Sequence, residues 1–162
     1  MMTDAIRTPG FRLLLGALLF GVSACGDDSG PVDPEDLVFA ASLGVNLASM
    51  TRSSTGLYHQ DQVVGTGALA NAGASVTVDY TGWLHDGTQF DTSAGSGPIP
   101  VTLGNRDVIQ GWEEGLLGMR AGGRRLLVIP SQLGYGARGA GGVIPPHATL
   151  VFRVDMRRVV PR

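Results

Sequence analysis

The chain contains no lysine; all twelve of its basic residues are arginine. A phosphate loop built on lysine, a Schiff base and a catalytic lysine are therefore excluded. Its single cysteine, Cys25, cannot form a disulfide within the chain. Charged residues make up only 16% of the sequence, and a net charge of −2 gives no electrostatic footprint for nucleic acid. The three histidines, His59, His85 and His147, stand at no ligand spacing, so no metal site is expected. A nucleophile-elbow motif is missing as well, which sets aside a serine hydrolase. Gly139-Ala140-Gly141-Gly142 has no βα unit ahead of it and reads as a mobile flap rather than a dinucleotide loop.

What remains is an apolar, glycine-rich chain. With 162 residues, 43% apolar content and 25 glycines, one packed, turn-rich and β-rich domain is expected, with extras at its ends. The first extra is an address. Arg7 and Arg12 form a basic region, and Leu13 to Val22 is an apolar run about half the ~20 residues that a spanning helix needs. Val-Ser-Ala-Cys then ends at Cys25 and resembles a bacterial lipobox, in which the thiol receives diacylglycerol before the leader is cut away. Residues 1–24 are thus expected to be a lipoprotein signal peptide and Cys25 a lipidation site. Loss of Asp4, Arg7 and Arg12 with that leader leaves a net charge of −3. Residues 25–36 carry Asp27, Asp28, Asp33, Glu35 and Asp36 among Gly, Ser and Pro, and read as a solvated tether. Residues 37–55 are moderately apolar and read as a short helix or an arm lying on the domain, which is expected to occupy residues 56–162.

Within that domain, Val76, Val78 and Tyr80 alternate with Thr77, Asp79 and Thr81, the period of a half-buried strand. His85-Asp86-Gly87-Thr88 supplies a turn that returns Gln89 to Thr92 antiparallel. Ile99 to Leu103 and Arg124 to Ile129 are further strand candidates. In the last strand Ala148, Leu150, Phe152, Val154 and Met156 share one face, against Thr149, Val151, Arg153, Asp155 and Arg157. Val108, Ile109, Trp112 and Leu116 lie at near-helical spacing, with Glu113 and Glu114 facing water and Gly118 placed to end the helix. The expected class is α+β: a twisted antiparallel sheet wrapped around one short α-helix.

Five segments, scattered with aromatic residues among glycines, carry a resemblance: Val-Asp-Tyr-Thr-Gly-Trp-Leu from Val78, Gln-Phe-Asp from Gln89, Val-Ile-Gln-Gly-Trp-Glu-Glu-Gly from Val108, Gly-Tyr-Gly-Ala from Gly134, and Val-Ile-Pro-Pro-His-Ala-Thr-Leu-Val-Phe from Val143. In that order they resemble an FKBP-type peptidyl-prolyl cis-trans isomerase, over roughly residues 56–159. The resemblance implies the FKBP-like fold, rotation of X-Pro bonds and no cofactor. It makes Trp112 the floor on which proline rests, with Tyr80, Phe90 and Phe152 as walls. Val108 and Ile109 edge the cleft, the Ile109 N–H donating to a substrate carbonyl. Tyr135 hydrogen-bonds a substrate carbonyl, and Asp91 is the one polar group inside. Val143 and Ile144 form an overhanging loop, and Ile99 completes a wall. Ile99, Asp107 and Ala140 depart from better-known relatives, which often have Phe, Glu and His there, and Ile99 lowers the aromatic content of one wall, which bears on macrolide affinity and on the residue preferred before proline.

The partners implied are proline-containing polypeptides and macrolide ligands, with a membrane reached through lipid on Cys25. The location implied is the cell envelope, facing the periplasm and with Gly26 favouring the outer membrane. Residues 37–55 are too short to resemble the long helical dimerisation region of some secreted relatives, so a monomer is expected. A second class stays open, a tethered binding module or chaperone using the same cleft. Tyr135 to Val143 leaves no room for the inserted domain that strong chaperones of the family often carry, which favours the enzyme.

Overall fold

The computed structural model describes residues 30–162; the leader and Cys25 lie outside the described residues. A seven-stranded antiparallel sheet dominates: β1 (Thr51–Arg52), β2 (Tyr58–Val63), β3 (Ser75–Leu84), β4 (Gln89–Thr92), β5 (Ile99–Thr102), β6 (Arg124–Ile129) and β7 (Leu150–Val160). Its order is β1-β2-β6-β7-β3-β4, and β5 shares the β3 edge with β4, pairing the Ser75–Val78 end while β4 pairs Thr81–Trp83. One α-helix, α1 (Gln110–Gly115), lies across the inner face among the described residues. The α+β class expected from the pattern is what the chain adopts.

The central pairing is between β3 and β7, running from Ser75↔Val160 to Leu84↔Leu150. Its register slips between Thr77, opposite Arg158, and Val78, opposite Met156, so Arg157 is left over as a bulge. The extra residue changes the parity of β7, which is why Val159 as well as Met156 is buried. β7 begins at Leu150, so Ala148, expected at its start, stands ahead of it.

α1 is shorter than its spacing predicts. Val108 and Ile109 stay outside it, because Ile109 is extended (ψ 149) and its carbonyl accepts the first helical N–H groups, those of Trp112 and Glu113. Close approach of helix to sheet depends on two glycines: a Cβ at Gly115 would lie 2.8 Å from Leu127, and one at Gly111 would overlap Ile129. The C-terminal carbonyls of Gly115 and Leu117 are closed by Arg125, whose buried guanidinium donates to both at 2.8 and 3.0 Å. The same group forms a bidentate pair with Asp61 on β2, at 2.7 and 3.0 Å. Glu113 and Glu114, expected to face water, have partners instead. Glu113 accepts the backbone N–H groups of Gly104 and Arg106, and Glu114 accepts from the Thr55 hydroxyl.

The sheet is covered on its other side too. Tyr58, Leu126, Val128 and Val151 turn outward and are buried beneath Met50, Phe39, Leu43, Val45 and Leu47. Residues 37–55 therefore form an arm on the domain, and β1, ahead of Gly56, is already a strand of the sheet. The arm is fastened where it begins. Ala40 N–H donates to the His85 carbonyl at 2.8 Å, and the Tyr58 hydroxyl donates to Glu35. Residues 33–36, expected to be part of a solvated tether, are thus in contact with the sheet, and Pro34 is buried. No helix among the described residues is long and apolar enough to cross a membrane.

Candidate active site

A cleft of about 400 Å³ opens where α1, β3, β4, β7 and the loops after β5 and β6 converge. Its floor is Trp112, delivered from the middle of α1 and 4% exposed. Tyr80 from β3 and Phe152 from β7 meet the indole edge-on, with ring centroids 5.0 and 5.3 Å away at 84° and 85°. Phe90 from β4 meets Phe152 in the same manner, at 5.4 Å and 87°. Such edge-to-face contacts lock the rings as a rigid box. The box needs a gap in β3: a Cβ on Gly82, opposite Phe152, would sit 2.7 Å from both Phe152 and Phe90. Trp112 Nε1 is buried without a hydrogen-bond acceptor among the described residues, so the floor presents its apolar face to the cleft.

The polar groups lie on one side. Tyr80 donates its hydroxyl to Asp91 Oδ2 at 2.7 Å, while Asp91 Oδ1 accepts the Thr92 N–H at 2.8 Å. Burial, aided by the Asp91 carboxylate that the hydroxyl must face, pushes the Tyr80 phenol up to about 12. Tyr80 therefore stays protonated and Asp91 stays oriented. Tyr135, 41% exposed, lines the mouth, and its hydroxyl has no protein partner among the described residues.

Every cleft residue expected from the sequence lines this cavity except Val143 and Ile144. Val143 is 61% exposed, and Ile144 is drawn into the core beneath. The reason is the turn between them and Tyr135: Gly139 at φ 60 lets the Ala140 N–H reach back to the Ile144 carbonyl at 3.0 Å, which folds the loop upon itself. Ile99 does stand in the wall, and Val108 and Ile109 form the edge. Asp91 is not the one polar group there. The Tyr80 hydroxyl, Arg106 and Asp107 share the cavity, because the loop ahead of α1 bends over the mouth. The motifs do not single out Arg106, although its place beside Val108 and Ile109 is a signal for it.

This fold and cleft agree with what the chain is similar to. Residues 67–157 match the FKBP-type peptidyl-prolyl cis-trans isomerase family, and the protein belongs to it. The FK506-binding protein of Neisseria meningitidis serogroup B is 54% identical over 105 residues, covering 64% of this chain and 96% of that protein. FkpA from Escherichia coli superposes with a TM-score of 0.64 at 42% identity, covering 69% of this chain and 52% of FkpA. A peptidyl-prolyl cis-trans isomerase from Pseudomonas syringae pv. tomato superposes with a TM-score of 0.64 at 34% identity, over 75% and 87% of the two chains. The protein is a peptidyl-prolyl isomerase of the FKBP type.

Proposed function

We propose that the enzyme rotates X-Pro bonds of extracytoplasmic proteins without covalent chemistry, by holding a twisted amide over Trp112. The barrier to rotation, ~18–20 kcal/mol, comes from amide resonance that water reinforces by solvating the carbonyl. Twisting removes that resonance and leaves less charge on the oxygen, so a dry aromatic box favours the twisted form over the planar one. Accelerating a step of tens of seconds to about a hundred per second asks for only about 4–5 kcal/mol. The observation that carries this reading is the rigid Tyr80–Trp112–Phe152–Phe90 box with its polar groups at one side. In it, the Ile109 N–H and Tyr135 hydroxyl hold substrate carbonyls, and Asp91 fixes Tyr80.

Exchange NMR on one X-Pro peptide tests it. Asp91→Val and Tyr135→Phe should slow exchange in a graded way while the domain stays folded, since no proton relay is broken and the box survives. A cleft that only grips apolar segments, as a chaperone would, predicts that both changes are nearly silent and that Trp112→Ala alone matters. An inactive, well-folded wild-type protein would defeat the proposal.

Anchoring belongs to the same proposal. The lipobox-like Val-Ser-Ala-Cys supports a mature N-terminus at lipidated Cys25, held in the envelope and facing the periplasm, with the outer membrane favoured by Gly26. More than one acyl chain is needed for stable anchoring. Fractionation of Cys25→Ser should find the protein released or still carrying its leader; soluble wild-type protein that takes up no labelled fatty acid would overturn the anchor. Macrolides are proposed as ligands of the cleft by analogy with the FK506-binding relatives, and a monomer is the proposed state.

A further inference from the structure

Among the described residues, two that are not glycine hold a left-handed backbone: Arg106 at φ 62 and His147 at φ 59. The conformation is unfavourable for any residue with a Cβ and persists where surrounding structure enforces it. For Arg106 the enforcement is visible. Its backbone N–H donates to Glu113 Oε1 at 2.8 Å, and the other oxygen of the same carboxylate holds Gly104. The backbone is thereby pinned at the mouth of the cleft, and the side chain lines both the cleft and an adjoining hollow of about 490 Å³ shared with Val108, Gln110 and Glu113.

The guanidinium is exposed and makes no hydrogen bond or ion pair among the described residues. The acidic groups around it are engaged. Asp91 holds the Tyr80 hydroxyl and the Thr92 N–H, Asp107 accepts from the Asn105 amide at 2.7 Å, and Glu113 is occupied by the two backbone donors. An uncommitted cation thus stands beside an apolar cleft. A guanidinium offers a planar fork that matches a carboxylate in a way no neutral side chain does.

We infer that Arg106 determines specificity: it makes the cleft favour proline segments that carry an aspartate or glutamate within two residues of the proline. The inference rests on the isomerase reading of the cleft and adds a substrate class to it. The site is open to water, so the preference is modest, about two- to fivefold in kcat/KM, as expected of an exposed ion pair. Salt should weaken it.

The test uses the intact protein and a host peptide with one X-Pro bond, placing Glu, Gln or Lys in turn at each of the two positions before and the two after the proline. Exchange NMR reads each kcat/KM, and the Glu-to-Gln ratio is taken within each protein, so that any general change of activity cancels. At one position or more the wild type should prefer Glu about two- to fivefold and disfavour Lys. The ratio should fall toward one at about 0.5 M salt, where screening is strong. Arg106→Gly, which suits the left-handed backbone, and Arg106→Gln should each abolish the preference, and Arg106→Glu should transfer it to Lys. A flat scan in an active wild type, or a Glu preference that survives both neutral variants, would overturn the inference alone. Absence of isomerisation for every peptide would overturn the isomerase reading and this inference with it.

Discussion

The two faces of one sheet are buried in different ways. Inward, Leu127, Ile129, Phe152 and Val154 pack with Trp112 and Leu116 in a core that α1 closes, and the helix is tied down by the buried Arg125. Outward, Leu126, Val128, Val151 and Tyr58 are covered by an arm with little regular structure, held by short turns, a two-residue strand and a few hydrogen bonds. The inner face creates the cleft, since the residues that seal the core also wall the site. The outer face contributes no cleft residue, so stability there can be changed without touching the chemistry.

The largest effect should come from the residue that serves core and cleft together. Trp112→Ala removes a side chain that is 4% exposed and supports two rings, and should cost about 3–5 kcal/mol while abolishing peptide exchange. Chemical denaturation and exchange NMR on the same sample would show both losses. If activity fell with stability untouched, the floor would not be part of the core.

Adjacent leucines on β6 give a sharper contrast. Leu127→Ala and Leu126→Ala should each cost about 2–5 kcal/mol, since both are buried. In a chain beginning at Met50 the cost of Leu126→Ala should shrink to below about 1 kcal/mol, while that of Leu127→Ala persists, because contact groups couple and distant ones add. Equal costs in both backgrounds would mean that the arm does not bury the outer face. The truncation itself should lower stability, since Tyr58, Leu126, Val128 and Val151 lose the cover of Phe39, Leu43, Val45 and Leu47, with exchange activity retained.

The smallest effects concern two phenols, one per face. Burial first, and then the bond to Glu35, push Tyr58 up to about 12; burial and Asp91 do the same for Tyr80. In the unfolded chain both titrate near ~10. Between those values the unfolded state releases protons that the folded state keeps, so their contribution is complete below pH ~10 and is lost as pH rises toward 12. Tyr58→Phe and Tyr80→Phe should each cost about 1 kcal/mol at neutral pH and flatten part of this alkaline decline. Absorbance titration should find two late phenols in the wild type.

The inner face is legible in the amino-acid pattern. Alternation in Val76 to Tyr80 and from Leu150 onward marks strands, and the aromatic segments carry the cleft. The outer face is half legible. Leu126-Leu127-Val128-Ile129 is apolar at every position, which in a strand means that both faces are covered, and residues 37–55 are the available cover. What the pattern does not reveal depends on long-range geometry. The Arg157 bulge exists only in the pairing with β3. Glu113 has the spacing of a solvent-facing residue because its partners lie on a loop that the helix pattern does not include. Motif order puts Val143 and Ile144 at the cleft, since it says nothing of a loop that curls away.

The arm also defines a load path. Tension entering the chain at residue 30 loads the Tyr58–Glu35 and Ala40–His85 hydrogen bonds and then β1, an edge strand joined to β2 by two residue pairs, whereas the cleft is hung on β3 and β7, paired from Ser75 to Leu84 at the sheet's centre. Edge pairs peel one at a time. The arm is therefore a weak link in series with a strong one: under a pull it unzips first, and the cleft keeps its shape.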